Sequence, residues 1–205
     1  MSKAVPARRL SLREQSKQHT RQALLEAALA CFTESGLDAP SLDGICERAG
    51  CTRGAFYVHF ANRDELIAAA MEHRRSAVLA KLLELPIGTV SIPQVLKLFA
   101  TAVEQETLPV PGGVRTGELL AACRRSKKIL KTQQRLMSET AARLSQLIGA
   151  DQKSGLLRSD IQPAALATLL ILLEAGSELC VDLGLRAGIG AATAAFAQLL
   201  VRAEA

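Results

Sequence analysis

The sequence predicts an all-α chain, with a three-helix helix-turn-helix head over residues 17–62 and a larger helical body over 63–205, about nine helices in all. Three observations predict it. Apolar residues make up 49% of the 205 but aromatics only 3%, so the core is built largely from Ala and Leu, which favour helix. Apolar positions recur at i, i+3, i+4, i+7, and no alternating apolar/polar run argues for a strand. Gly, Pro and small polar residues fall at intervals that suit helix ends.

The elements follow in order. Between Met1 and Arg21 stand Lys3, Arg8, Arg9, Arg13, Lys17 and Arg21 against the single acid Glu14, and they account for the whole net charge of +5. Residues 1–16 therefore read as a basic flexible arm, either seeking a polyanion or simply solvated. Leu25, Ala28, Leu29 and Phe32 mark the first amphipathic helix, closed by Ser35-Gly36. Ser41 is the N-cap of a second, with Leu42, Ile45, Cys46 and Ala49 on its inner face and Gly50 at its end. Thr52 caps a third short helix whose Phe56 and Phe60 point inward. Asn62 caps a fourth, running to about Leu85 before Pro86, with Asp64 and Glu65 complementing its dipole. Further helices are expected over about 91–108, 115–130, 131–149, 163–183 and 188–203. The breaks between them fall at Pro109–Gly113, Gly149, Gly155–Pro163 and Gly184.

Several classes of function are disfavoured. The five cysteines lie at scattered spacings with no C-x-x-C, and His19, His59 and His73 form no ligand pattern with them, so no metal or cofactor is expected. No nucleophile–base pair or paired carboxylates suggest catalysis. No apolar leader precedes the first helix, and the longest uncharged stretches, Ile161–Leu173 and Ala187–Val201, fall short of the ~20 residues that span a bilayer. These features predict a cytoplasmic, nucleoid-associated protein without enzymatic activity. The run Arg124-Arg125-Ser126-Lys127-Lys128 reads as the solvated end of a helix.

The informative segment is SLDGICERAGCTRGAFYVHFANRDEL, Ser41 to Leu66. Two short amphipathic helices joined through Gly50-Cys51-Thr52 meet the needs of a helix-turn-helix, whose second helix enters the DNA major groove. With Phe56 and Phe60 buried, Gly54, Ala55, Tyr57 and Val58 face outward, flanked by Arg53 and His59. Small residues, one Tyr and one Val suit a face pressed on DNA better than one facing water. Gly54 and Ala55 allow close approach, Val58 fits a thymine methyl, and Arg53 has the reach for guanine O6 and N7. Tyr57, His59, Thr52 and Ser41 suit phosphate oxygens, and Arg63 adds charge.

The run TRGAFYVHFANRDEL resembles the recognition-helix signature of the TetR family of regulators. SLDGICERAG is similar to that family's second helix, and Ala27-Ala28, Phe32 and Gly36 to its first. Arg63 stands where the family often has Lys, and Cys51 where it often has Val. A weaker likeness, GLLRSDIQP (Gly155–Pro163), falls where many members have a linker before their last two helices.

The resemblance implies a homodimer whose two recognition helices read a palindromic operator. It also implies a ligand-binding and dimerisation domain behind the head, holding a small-molecule effector that lowers DNA affinity. The helices at about 163–183 and 188–203 are too apolar to face water all round, and the resemblance makes them the dimer surface. Candidate pocket positions are Leu96, Phe99, Val103, Leu119, Cys123, Met137 and Leu172, which suggest a fairly apolar ligand. An alternative is a redox-responsive regulator on the same scaffold, signalling through Cys123 beside Arg124 and Arg125.

Overall fold

Ser11 starts the first helix earlier than the periodicity implied. In the computed structural model, which describes residues 11–83, 91–104, 114–185 and 188–201, α1 spans Leu12–Ser35. The Ser11 hydroxyl accepts the Glu14 N–H, while the Glu14 carboxylate accepts the Ser11 N–H at 2.8 Å. This capping box satisfies two otherwise orphaned N–H groups, and the helix runs over three turns ahead of Leu24. The arm expected over 1–16 is thus helical from residue 12 onward, and its first ten residues lie outside those described.

The next three helices follow their caps. α2 (Leu42–Arg48) starts at Ser41, whose hydroxyl accepts the Gly44 N–H at 3.0 Å, and α3 (Arg53–His59) starts at Thr52, which accepts from Ala55 at 3.2 Å. Between them Gly50 takes φ +65°, the left-handed turn that a helix-turn-helix needs. Asn62 then caps α4 (Arg63–Leu83) through the Glu65 N–H at 3.0 Å.

The body continues with α5 (Ile92–Glu104), α6 (Thr116–Arg125), α7 (Lys127–Lys153), α8 (Pro163–Asp182) and α9 (Ile189–Leu200). Two expected boundaries move. The α6–α7 break falls at Ser126 rather than near residue 130, because the buried Ser126 hydroxyl caps α7 by accepting the Ile129 N–H. Gly149 does not end α7; the helix runs through it to Lys153, with Gly149 facing the Pro163 ring. Among the described residues nine helices form and no strand does.

Two cores organise these helices. The first joins Leu24, Ala28 and Phe32 of α1, Ile45 and Cys46 of α2, Phe56 and Phe60 of the recognition turn and Leu66, Ile67 and Ala70 of α4 to Ala122, Cys123 and Ile129. Packing therefore runs unbroken across the expected boundary at residues 62 and 63, so the head's orientation depends on α4, α6 and α7. The second core, at the far end, gathers Ile92, Leu96, Ile148, Leu157, Leu166 and Leu200, and the buried Asp151 carboxylate accepts the Ile92 N–H at 2.7 Å.

By length and composition α8 is apolar enough to cross a bilayer, which corrects the expectation that every apolar run falls short. It carries Glu174, Glu178 and Asp182, however, and Thr116 of α6 hydrogen-bonds to the last two.

Candidate nucleic-acid interface and effector cavity

The outward face of α3 is built by the inward one. Phe56 and Phe60 are fully buried, their rings 5.6 Å apart, so the residues between them turn out by helical geometry. Tyr57 is 52% exposed and Val58 64%, with Arg53, Gly54 and Thr52 open beside them. Ala55 and His59 are half-buried rather than fully outward. The Tyr57 ring stands edge-on to Phe56 at 5.2 Å, which fixes where its hydroxyl projects.

Arg53 is held in place before any partner arrives. Its guanidinium donates to Asp43 of α2 at 3.1 Å, and the Tyr57 hydroxyl and then the Asp43 carboxylate hold its pKa above the ordinary value. Ser41 and Thr52 both use their hydroxyls as caps, so what each helix start presents outward is chiefly backbone N–H groups. His59 lies where α3 meets α1. Its imidazole is pushed below the usual histidine pKa by burial first, then by the charges of Lys17 and Arg21.

Arg63 departs from its expected role. Its guanidinium turns inward, donating to the Leu37 and Pro40 carbonyls and lying 5.8 Å from the Phe32 ring centroid. It braces the α1–α2 turn rather than presenting charge outward. The same turn is gripped from the body, where Glu118 of α6 accepts the Leu37 N–H at 2.7 Å and Arg125 pairs with Asp38 at 2.7 Å. Sequence reasoning missed Glu118 and Asp43: Glu118 reaches Leu37, distant in the chain, and Asp43 holds Arg53 of the next helix, ten residues on. Lys17 and Arg21, read from the sequence as part of the basic leader, are charged neighbours of His59.

A cavity of about 260 Å³ lies where α1, α4, α6, α7 and α8 converge. Leu119 and Met137, both candidate pocket positions, lie in its wall with Phe32, Ile67, Met71 and Ile171. Leu96 does not: it belongs to the far core. Cys123 is packed in the head core, and Leu172 is 63% exposed on the outer face of α8. The Phe99 and Val103 side chains lie outside the described residues. The lining is mainly apolar, and Arg74, Thr116, Gln133, Thr140, Glu174 and Glu178 add polar groups to the wall. Burial pushes the Arg74 guanidinium below its ordinary pKa, with Glu178 and Glu174 opposing the shift.

Cys123 does not behave as an activated thiol. It is 8% exposed, burial raises its pKa, and Arg125 is directed to Asp38. A thiol without thiolate character reacts slowly with oxidants, which removes the basis for redox signalling through it. Among the described residues, no cluster of three or more His, Cys, Asp or Glu is placed to hold a metal ion.

The family model described as bacterial regulatory proteins, tetR family, matches residues 24–70, spanning the end of α1 through the start of α4. Over 65 residues the chain is 38% identical to the HTH-type transcriptional regulator AcrR of Shigella flexneri, an alignment covering 32% of this chain and 30% of that regulator. A longer alignment, 28% identical over 167 residues, covers 78% of this chain and 80% of the HTH-type transcriptional regulator UidR of Escherichia coli K12. The fold matches the crystal structure of reduced E. coli NemR with a TM-score of 0.76 at 20% identity, over 91% of this chain and 98% of that one. Salmonella enterica GusR matches with a TM-score of 0.69 at 22% identity, over 88% and 95%.

Proposed function

Because the chain belongs to the TetR family of bacterial transcriptional regulators, we propose that it is a cytoplasmic repressor that binds a palindromic operator as a homodimer and is released by a small molecule. The observation that carries this reading is the outer face of α3, where a solvent-exposed Tyr and Val stand beside Gly54 and a pre-oriented Arg53. Such a face has little reason to meet water and good reason to meet base edges. Arg53 reads a guanine, Val58 meets a thymine methyl, Gly54 and Ala55 admit the backbone closely, and Tyr57, His59 and the Ser41 and Thr52 helix starts hold phosphates.

The dimer surface is the outer face of α8. Leu169, Leu172, Leu179 and Leu183 are all exposed and, with Gly176, follow a heptad spacing along it, and Leu199 of α9 is exposed as well. A Cβ added at Gly176 would meet nothing within 4 Å, so a second copy's helix has room for close approach. The effector occupies the cavity behind Phe32 and Met71. Its body is apolar, and it carries a polar group able to engage Arg74, Glu178 or Gln133.

The test is selection of bound sequences from random duplexes by the purified chain, followed by gel shift on the selected site. An inverted repeat is expected, bound in the nanomolar range and weakening steeply with salt. Tyr57→Phe combined with His59→Ala should weaken binding without lowering the melting temperature. Recovery of no inverted repeat would overturn the operator reading, and full-strength binding by the double variant would overturn the roles given to those two residues.

A further inference from the structure

The two helices around the recognition turn carry no net charge. Between Ser41 and Asn62, Arg48 and Arg53 are balanced by Asp43 and Glu47. Both arginines are also ion-paired within the protein, Arg48 with Glu34 at 2.6 Å and Arg53 with Asp43 at 3.1 Å. Affinity for duplex DNA depends on how many phosphates a protein neutralises with cations. On that measure α2 and α3 have little to offer.

The missing cations stand on the neighbouring helix. Arg13, Lys17 and Arg21 occupy every fourth position of the first half of α1, all exposed, and among the described residues none takes part in an ion pair. Four-residue spacing puts them on one side of the helix, roughly 6 Å apart along the axis. Glu14, the acid in that half, is turned back to the Ser11 N–H and hydroxyl, each at 2.8 Å, and does not neutralise them. The same capping box keeps the row helical.

One end of the row is fixed on the recognition helix. The Arg21 guanidinium lies 4.6 Å from the Phe60 ring centroid and donates to the His59 carbonyl at 3.4 Å, and the charges of Lys17 and Arg21 reach the His59 imidazole. From the C-terminal end of α3 the row extends about 12 Å outward.

We propose that the first half of α1 is a phosphate rail. Arg13, Lys17 and Arg21 neutralise successive phosphates of the strand bordering the major groove that α3 enters, and they supply the electrostatic affinity that α2 and α3 lack. The assignment rests on the DNA-binding reading above, with α3 as the helix that lies in the groove.

The probe is a random-sequence 30-base-pair duplex, titrated by fluorescence anisotropy over a salt series, so no operator need be known. Replacing Arg13, Lys17 and Arg21 together by Gln should flatten the plot of log K against log salt by about 0.9 per lost contact, near 2.7 per protomer. The charge-preserving pair Arg13→Lys and Lys17→Arg should keep the wild-type slope. Should the triple variant melt early, Arg13→Gln with Lys17→Gln, at two exposed positions off the core, tests the same idea with an expected change of about 1.8. A neutralised, folded variant with the wild-type slope overturns the rail and leaves DNA binding standing. A wild-type chain with no salt-dependent binding overturns both.

Discussion

His59 joins the recognition helix to the rail, and its proton makes the link measurable. In the free protein, burial and the charges of Lys17 and Arg21 hold its pKa below the ordinary value of about 6.5, so the ring is neutral near pH 7. In the proposed contact a phosphate would stabilise the imidazolium and raise the DNA-bound pKa above the free one. The bound state therefore takes up the proton first, and affinity should rise as pH falls from about 7 through the free value. Folding responds with the opposite sign, because the depressed native pKa lets the unfolded chain protonate first, and some stability is lost below about pH 6.5. Anisotropy titrations across this range should show tighter binding at lower pH in wild type and a flat profile in His59→Gln; equal profiles would remove His59 from the phosphate contact. Gly36 offers a second single-residue test. Its φ of +80° and ψ of 177° suit glycine alone, and a Cβ there would lie 2.5 Å from Glu118 Oε1. Gly36→Ala should cost on the order of 2 kcal/mol in denaturant unfolding. The cost should be smaller in a Glu118→Ala background, where the clash is gone but the φ strain remains.

At the scale of elements, the recognition turn stands on its caps. Thr52→Ala removes the acceptor for the Ala55 N–H and should cost about 1 kcal/mol of stability, read as a lower melting temperature. DNA binding should weaken with it, because α3 has only seven residues and little helix of its own to retain. The same locality explains why this region was legible in the sequence. Ser41, Gly50, Thr52 and Asn62 act on neighbours within four residues, so spacing alone places α2, α3 and the start of α4. The α6–α7 junction was not legible, since Ser126 is a cap hidden inside a run of Arg and Lys. Gly149 misled for a related reason: a glycine that looks like a stop can instead sit inside a helix, here facing the Pro163 ring at the start of the next one. The cavity was the least legible part. α8 is apolar on both faces, so only its packing shows that Ile171 lines the cavity while Leu172 faces out. Arg74, Glu118 and Glu178 act through partners more than forty residues away, and no local pattern announces them.

For the whole molecule, the two ends of the chain have complementary needs. A head with a seven-residue recognition helix reads few base pairs, and a body with a leucine row open to water lacks a partner for it. The proposed pairing through α8 would answer both, because it would cover the leucines and hold two heads at a fixed separation. The second head then binds at the effective concentration set by the first, which raises affinity by orders of magnitude without any new contact. Leu172→Glu with Leu183→Glu places charges in the row at two exposed positions, so the isolated fold should be little affected. Sedimentation velocity should show monomer where wild type is dimeric, circular dichroism should show unchanged helix content, and affinity for the selected inverted repeat should fall at least 100-fold. Binding to a single half-site should stay close to that of wild type, because α1 and α3 are untouched. A variant that still sediments as a dimer would place the interface on another face and return the α8 leucines to the status of an unexplained exposed row.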